Sequence, residues 1–142
     1  MKITCGVFIF DKNGLLLIAH PTGFPFNKNL WSIPKGEPDS EETPEVAALR
    51  EVVEETSLVL DPTKIKYVGC NVYKSGKKKI YAYSIQLEED SKTLTTRCDS
   101  CFINKEGIET FEIDAFQWVS PDVAETLLHE AQVVLLPDAI KN

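Results

Sequence analysis

Arg50-Glu51-Val52-Val53-Glu54-Glu55 puts three carboxylates within five positions, with Arg50 as the adjoining cation. Residues three and four apart share a face of a helix, so Glu51, Glu54 and Glu55 form one acidic cluster if this segment is helical. Like charges packed this way repel and cost helix stability. A set of carboxylate oxygens suits a hard divalent cation, Mg²⁺ or Mn²⁺, which would supply the missing positive charge.

The flanking residues say how the cluster is carried. Thr43-Pro44 offers a capping hydroxyl followed by a proline at the first helical position. Glu45 then places negative charge at the positive end of the helix dipole. Val46, Leu49 and Val53 step at three and four and are expected to form the core face, with the acids largely off that stripe. The helix is expected to end near Ser57, before Asp61-Pro62.

Elsewhere the chain alternates between strand-like and helical segments. Residues 3–10 and 15–19 read as a hairpin around the turn Asp11-Lys12-Asn13-Gly14. Residues 31–33 read as a short strand stopped by Pro34, and 35–42 as a polar loop. Strands are expected over 65–73, 79–87 and 116–119, with a long loop over 88–108 that can hold a short strand at 101–103. Ser120-Pro121-Asp122 signals a second helix, running to about residue 130 and followed by a short tail. Helices among strands without strict alternation predict an α/β fold with a mixed sheet in one domain spanning 1–142.

Composition sets the outer limits. The 142 residues carry 43% hydrophobic and 26% charged side chains, an ordinary globular balance. A net charge of −7 argues against general nucleic-acid or anionic-membrane binding. No apolar run approaches a bilayer span, and the start lacks a cleavage-site pattern, so a cytoplasmic protein is expected. Cys98 and Cys101 form a CxxC without a second ligand pair, and reduced thiols are the expected state.

Taken together, Gly36, Glu42, Arg50-Glu51, Val52, Glu54-Glu55 and Leu58 resemble the Nudix box over residues 36–58. The lead-in Trp31-Ser32-Ile33-Pro34-Lys35-Gly36 is similar to one common in that family. One departure is Ser57, where the family usually has a glycine. The resemblance implies an α/β/α sandwich and Mg²⁺- or Mn²⁺-dependent hydrolysis of a nucleoside diphosphate linked to a further group. It implies Glu51, Glu54, Glu55 and the Lys35 backbone carbonyl as metal ligands, and often a homodimer. Arg50 is expected to orient Glu51, and Glu42 to tie the loop to the helix. The general base would be a box glutamate or a later carboxylate; Glu112 is the candidate, with Glu109 and Asp114 as alternatives.

Lys35 and Gly36 are expected at the substrate phosphates. Trp31 offers either core packing or a face for base stacking. Tyr73 is either a packed strand residue or the aromatic that resembles a feature of dinucleoside polyphosphate hydrolases. Phe24 and Phe26 can flank the pocket or anchor their loop. The expected substrate is a nucleoside triphosphate or dinucleoside polyphosphate. A sugar nucleotide, a capped RNA end, or a sensor that binds a nucleotide without cutting it are the alternatives.

Overall fold

Every second residue of the strand Lys2–Phe10 (β1) points to the opposite face, and both faces are apolar. Such a strand must be covered on both sides. A computed structural model describes residues 1–141 and shows how this is met.

β1 lies in the middle of a sheet with Leu16–Pro21 (β2), Lys35–Gly36 (β3), Lys66–Val72 (β4), Lys78–Gln86 (β5) and Ile113–Val119 (β8). The order is β4-β5-β1-β2-β8, with β3 paired to the start of β1. β1 and β5 are parallel and the other pairs antiparallel, so the sheet is mixed. Cys101–Ile103 (β6) and Glu109–Phe111 (β7) form a separate two-stranded hairpin.

The helix Pro44–Thr56 (α1) covers one face, where Val7, Ile9 and Leu17 meet Ala47, Ala48 and Val52. The helices Pro121–Leu127 (α2), Glu130–Val133 (α3) and Leu136–Lys141 (α4) cover the other, against Phe8, Phe10 and Ile18. This is the α/β/α sandwich with a mixed sheet. Among the described residues, no helix is long and apolar enough to cross a membrane.

Several expectations are refined. The segment after Pro34 is not all loop, because Gly6 leaves room for it. A Cβ at Gly6 would meet Lys35 Cβ and Pro34 O at 2.8 Å, so its absence lets β3 pair with β1. Residues 31–33 make only isolated bridges, Ala19 to Ser32 and Trp31 to Leu128. The second helix stops at Leu127, and 136–141 is helical rather than a plain tail.

The core face of α1 also differs. Val46 and Val53 are exposed, at 52% and 42%, while Ala47, Ala48, Glu51, Val52, Glu55 and Thr56 are buried. Alanines at 47 and 48 let the helix lie close to the sheet. The buried stripe therefore includes two of the acids instead of excluding them.

Both ends of α1 are capped. Thr43 Oγ1 accepts from Val46 N at 3.3 Å. Ser57 takes the left-handed conformation, φ 66°, and its N–H returns to Val53 O at 2.9 Å. Its hydroxyl donates to Arg97 O at 2.7 Å, a bond glycine could not make. Arg97 N and Asp99 N donate to the last-turn carbonyls of Thr56 and Glu54, at 3.0 and 2.9 Å. The chain leading to the β6–β7 hairpin is thereby fixed to the end of α1.

The left-handed serine costs about 1 kcal/mol and its hydrogen bond returns about as much. Ser57→Gly should therefore unfold in urea within about 1 kcal/mol of the parent, whereas Ser57→Ala keeps the strain, loses the bond and falls about 1 kcal/mol below it. An alanine variant as stable as the glycine variant would contradict this balance.

Candidate active site

The acidic helix face meets the β3 turn at a point with no side chain. A Cβ on Gly36 would overlap the Glu51 carboxylate itself. Gly36 is thus required for the Glu51 head group to lie against the β3 backbone. One position earlier, Lys35 N donates to Glu55 Oε1 at 3.2 Å.

These residues line a trough of about 520 Å³. Glu37, Asp39, Glu51, Glu54, Glu55 and Glu112 line it, together with Arg50, Lys2, Lys35 and Lys78. Glu112 comes from the residue between β7 and β8, and Ser100 O receives its N–H at 2.8 Å. The hairpin fixed to the end of α1 therefore delivers the Glu112 carboxylate.

Arg50 organises the outer part. Its Nε and Nη2 fork onto the two Glu42 oxygens at 2.7 and 2.8 Å, a bidentate pair. Nη2 also reaches Glu37 O at 3.0 Å. Nη1 donates to Glu51 Oε1 at 3.0 Å and to both Glu54 oxygens at 3.1 Å. Hydrogen bonds from Arg50 pull the Glu42 carboxyl down to about 2. Glu42 thus closes the loop onto the helix, while Arg50 spans Glu51 and Glu54.

The inner carboxylates behave oppositely. Burial first, and then repulsion from Glu54, raises Glu51 to about 7. Burial raises Glu55 to about 8, against the Lys35 N–H and the Lys35 charge, with Glu51 and Glu112 adding to the rise. Both groups are short of positive charge. Among the described residues, no three metal-ligating side chains already converge on one point; Arg50 Nη1 bridges Glu51 and Glu54. The all-oxygen donor set and the charge deficit fit a hard divalent cation.

The other predicted residues separate clearly. Asp114 is committed to His20, its Oδ1 lying 2.6 Å from Nδ1, and Glu109 pairs with Ile103 on the hairpin. Trp31 is 4% exposed and packs edge-on against His20 and Phe26, so its ring has no free face for a base. Phe26 stacks on His20 with centroids 3.7 Å apart. Tyr73 is buried and lines a different cavity, with His129 and Asn71. Its ring lies under the ammonium of the trough residue Lys78, 5.0 Å from Nζ to the ring centroid.

A family model described as NUDIX domain matches residues 2–139. The chain belongs to the Nudix family. An RNA pyrophosphohydrolase of Marinomonas sp. is 32% identical over 123 residues, covering 81% of this chain and 73% of that protein. Two solved structures share the fold. The NUDIX domain of Shewanella oneidensis NrtR, complexed with ADP ribose, has a TM-score of 0.72 at 17% identity, covering 99% of this chain and 87% of that one. A C. elegans Ap4A hydrolase binary complex has a TM-score of 0.71 at 19% identity, covering 97% and 94%.

In this Nudix hydrolase, two lysines of the trough were not foreseen. Lys2 and Lys78 are register partners across the parallel β1–β5 pair, which brings their ends together beside Lys35. Burial, followed by Lys35, lowers Lys78 to about 8. No local pattern marks them, because their meeting depends on pairing strands far apart in sequence.

Arg50→Ala should lower stability by about 1.5–3 kcal/mol in EDTA, as three carboxylates lose a charged donor. Millimolar Mg²⁺ should narrow that gap. Denaturant unfolding with and without the metal reads both effects, and an unchanged midpoint in EDTA would contradict the network.

Proposed function

We propose that this Nudix hydrolase is a pyrophosphohydrolase that cleaves a phosphoanhydride bond in a nucleoside triphosphate or dinucleoside polyphosphate. The observation that carries the reading is a single trough lined both by the carboxylates Glu51, Glu54, Glu55 and Glu112 and by the ammonium groups of Lys2, Lys35 and Lys78. A polyphosphate needs both: cations along its oxygens and a place for the attacking water.

Each residue then has a task. Lys2, Lys35 and Lys78 receive phosphate oxygens, and the crowded Lys78 ammonium gains the counter-charge it lacks. Glu51, Glu54, Glu55 and the Lys35 carbonyl would hold Mg²⁺ or Mn²⁺, in keeping with the general use of divalent metals in the family. When bound, the metal would neutralise phosphate charge and make water more acidic. Arg50 holds Glu51 and Glu54 in orientation. Glu112 faces the trough without belonging to the box helix, and it accepts the proton of the attacking water. Four free thiols support the expected cytoplasmic setting.

A second reading is the 5′-polyphosphate end of an RNA, favoured by the Marinomonas relative named as an RNA pyrophosphohydrolase. The net charge of −7 opposes a long RNA footprint, so contact would be confined to the terminal nucleotides.

Glu55→Gln and Glu112→Gln should each reduce kcat by about 10²–10⁴-fold with the fold retained. EDTA should stop turnover, and millimolar Mg²⁺ or Mn²⁺ restore it. The test is phosphate release with product identification across nucleoside triphosphates, dinucleoside polyphosphates and a triphosphorylated oligonucleotide. Undiminished turnover by both variants would refute the assignment.

A further inference from the structure

We propose that the cleft between Phe24 and Phe102 is the nucleobase subsite of this enzyme. The inference rests on the polyphosphate reading above and adds where the base is held. The cleft has a volume of about 340 Å³ and opens directly from the trough, sharing Lys35, Glu55 and Glu112 with it. Lys2 and Lys78 line the trough but not the cleft. A ligand spanning both is therefore ordered: base in the cleft, near phosphates at Glu55 and Glu112, far phosphates at Lys2 and Lys78.

The chemistry of the cleft suits a base and not a phosphate. Phe24 and Phe102 are 55% and 39% exposed, apolar rings left in water at the edge of a charged site. An aromatic face stacks on any nucleobase and offers nothing to an anion. Phe26, from the same loop as Phe24, is already stacked on His20 and takes no part.

The two rings are also fixed to the catalytic wall. Thr22 N donates to Glu112 O at 2.9 Å, and Glu112 N donates to Ser100 O at 2.8 Å. The loop bearing Phe24 and the hairpin bearing Phe102 are thus both tied to the candidate base. A nucleobase between them would set the distance from its own phosphates to Glu112.

The test uses calorimetry on the intact protein in Ca²⁺ buffer. The probes are methylene-bridged analogues of the four common nucleoside triphosphates, with inorganic tripolyphosphate as the base-free reference. At least one analogue should bind about tenfold or more tighter than tripolyphosphate. Phe24→Ala/Phe102→Ala should erase that advantage and leave tripolyphosphate binding and the melting curve unchanged, while Phe24→Tyr/Phe102→Tyr keeps it. The subsite is overturned if no analogue exceeds tripolyphosphate, or if the alanine pair retains the preference. Tight analogue binding that the alanine pair abolishes, in a parent that cleaves none of the natural nucleotides in Mg²⁺, would sink the hydrolase reading and leave the subsite standing.

Discussion

The structure turns on holding carboxylates in a place where carboxylates are expensive. Glu51 and Glu55 sit on the buried stripe of α1, pressed against a β3 turn that has no side chain at the point of contact. Removing an ion from water is unfavourable unless a partner compensates. Arg50 compensates Glu51 on the outside and the Lys35 N–H compensates Glu55 on the inside, yet both remain harder to ionise than a free carboxyl. The fold therefore maintains a deficit of positive charge at one spot. Burial and crowding suit that spot to a divalent ion, and the same crowding explains why Arg50 bonds to three carboxylates.

The rest of the architecture serves that placement. Small residues at 6, 36, 47 and 48 bring β1, β3 and α1 close enough for the acids to reach the β3 backbone. Thr43 and Ser57 set the two ends of the helix, so Glu51 and Glu55 face the turn while Glu54 stays half-exposed at its edge. The carbonyls left open at the end of α1 are taken by Arg97 N and Asp99 N. One helix terminus thus locates both the box glutamates and, through Ser100, the carboxylate that arrives from the far side of the chain.

Some of this was legible in the sequence because it is local. A hydroxyl-proline start, a stop at Ser57 and glutamates at helical spacing are short-range signals, and the helix and its caps follow from them. Glu42 was expected to tie the loop to the helix, but that its partner is Arg50 came only from the structure. The buried face was not legible. Counting apolar residues selected Val46, Leu49 and Val53; of these only Leu49 packs against the core, and the rest of the contact is made by alanines, Val52 and two acids, since close approach favours small side chains over large ones. Trp31 shows the complementary failure: its type allows stacking, and only the positions of His20 and Phe26 show that its ring is already packed. Lys2 and Lys78 needed the parallel β1–β5 register, which no window of sequence contains.

The division between local and long-range information matches a division of labour in the site. The box helix and its turn carry the groups that deal with phosphate, a ligand whose chemistry does not vary between nucleotides. The groups suited to a base stand on the loop after β2 and on the β6–β7 hairpin, outside the helix. Those segments are joined to the site by backbone bonds at Glu112 and at the end of α1, so their side chains can differ while those bonds are kept. Charge placement must be conserved to keep the deficit, whereas aromatic faces can be traded for others at little cost to folding. A motif that announces phosphoanhydride chemistry is for that reason silent on substrate, and the residues proposed to hold the base are those whose position depends on the whole fold.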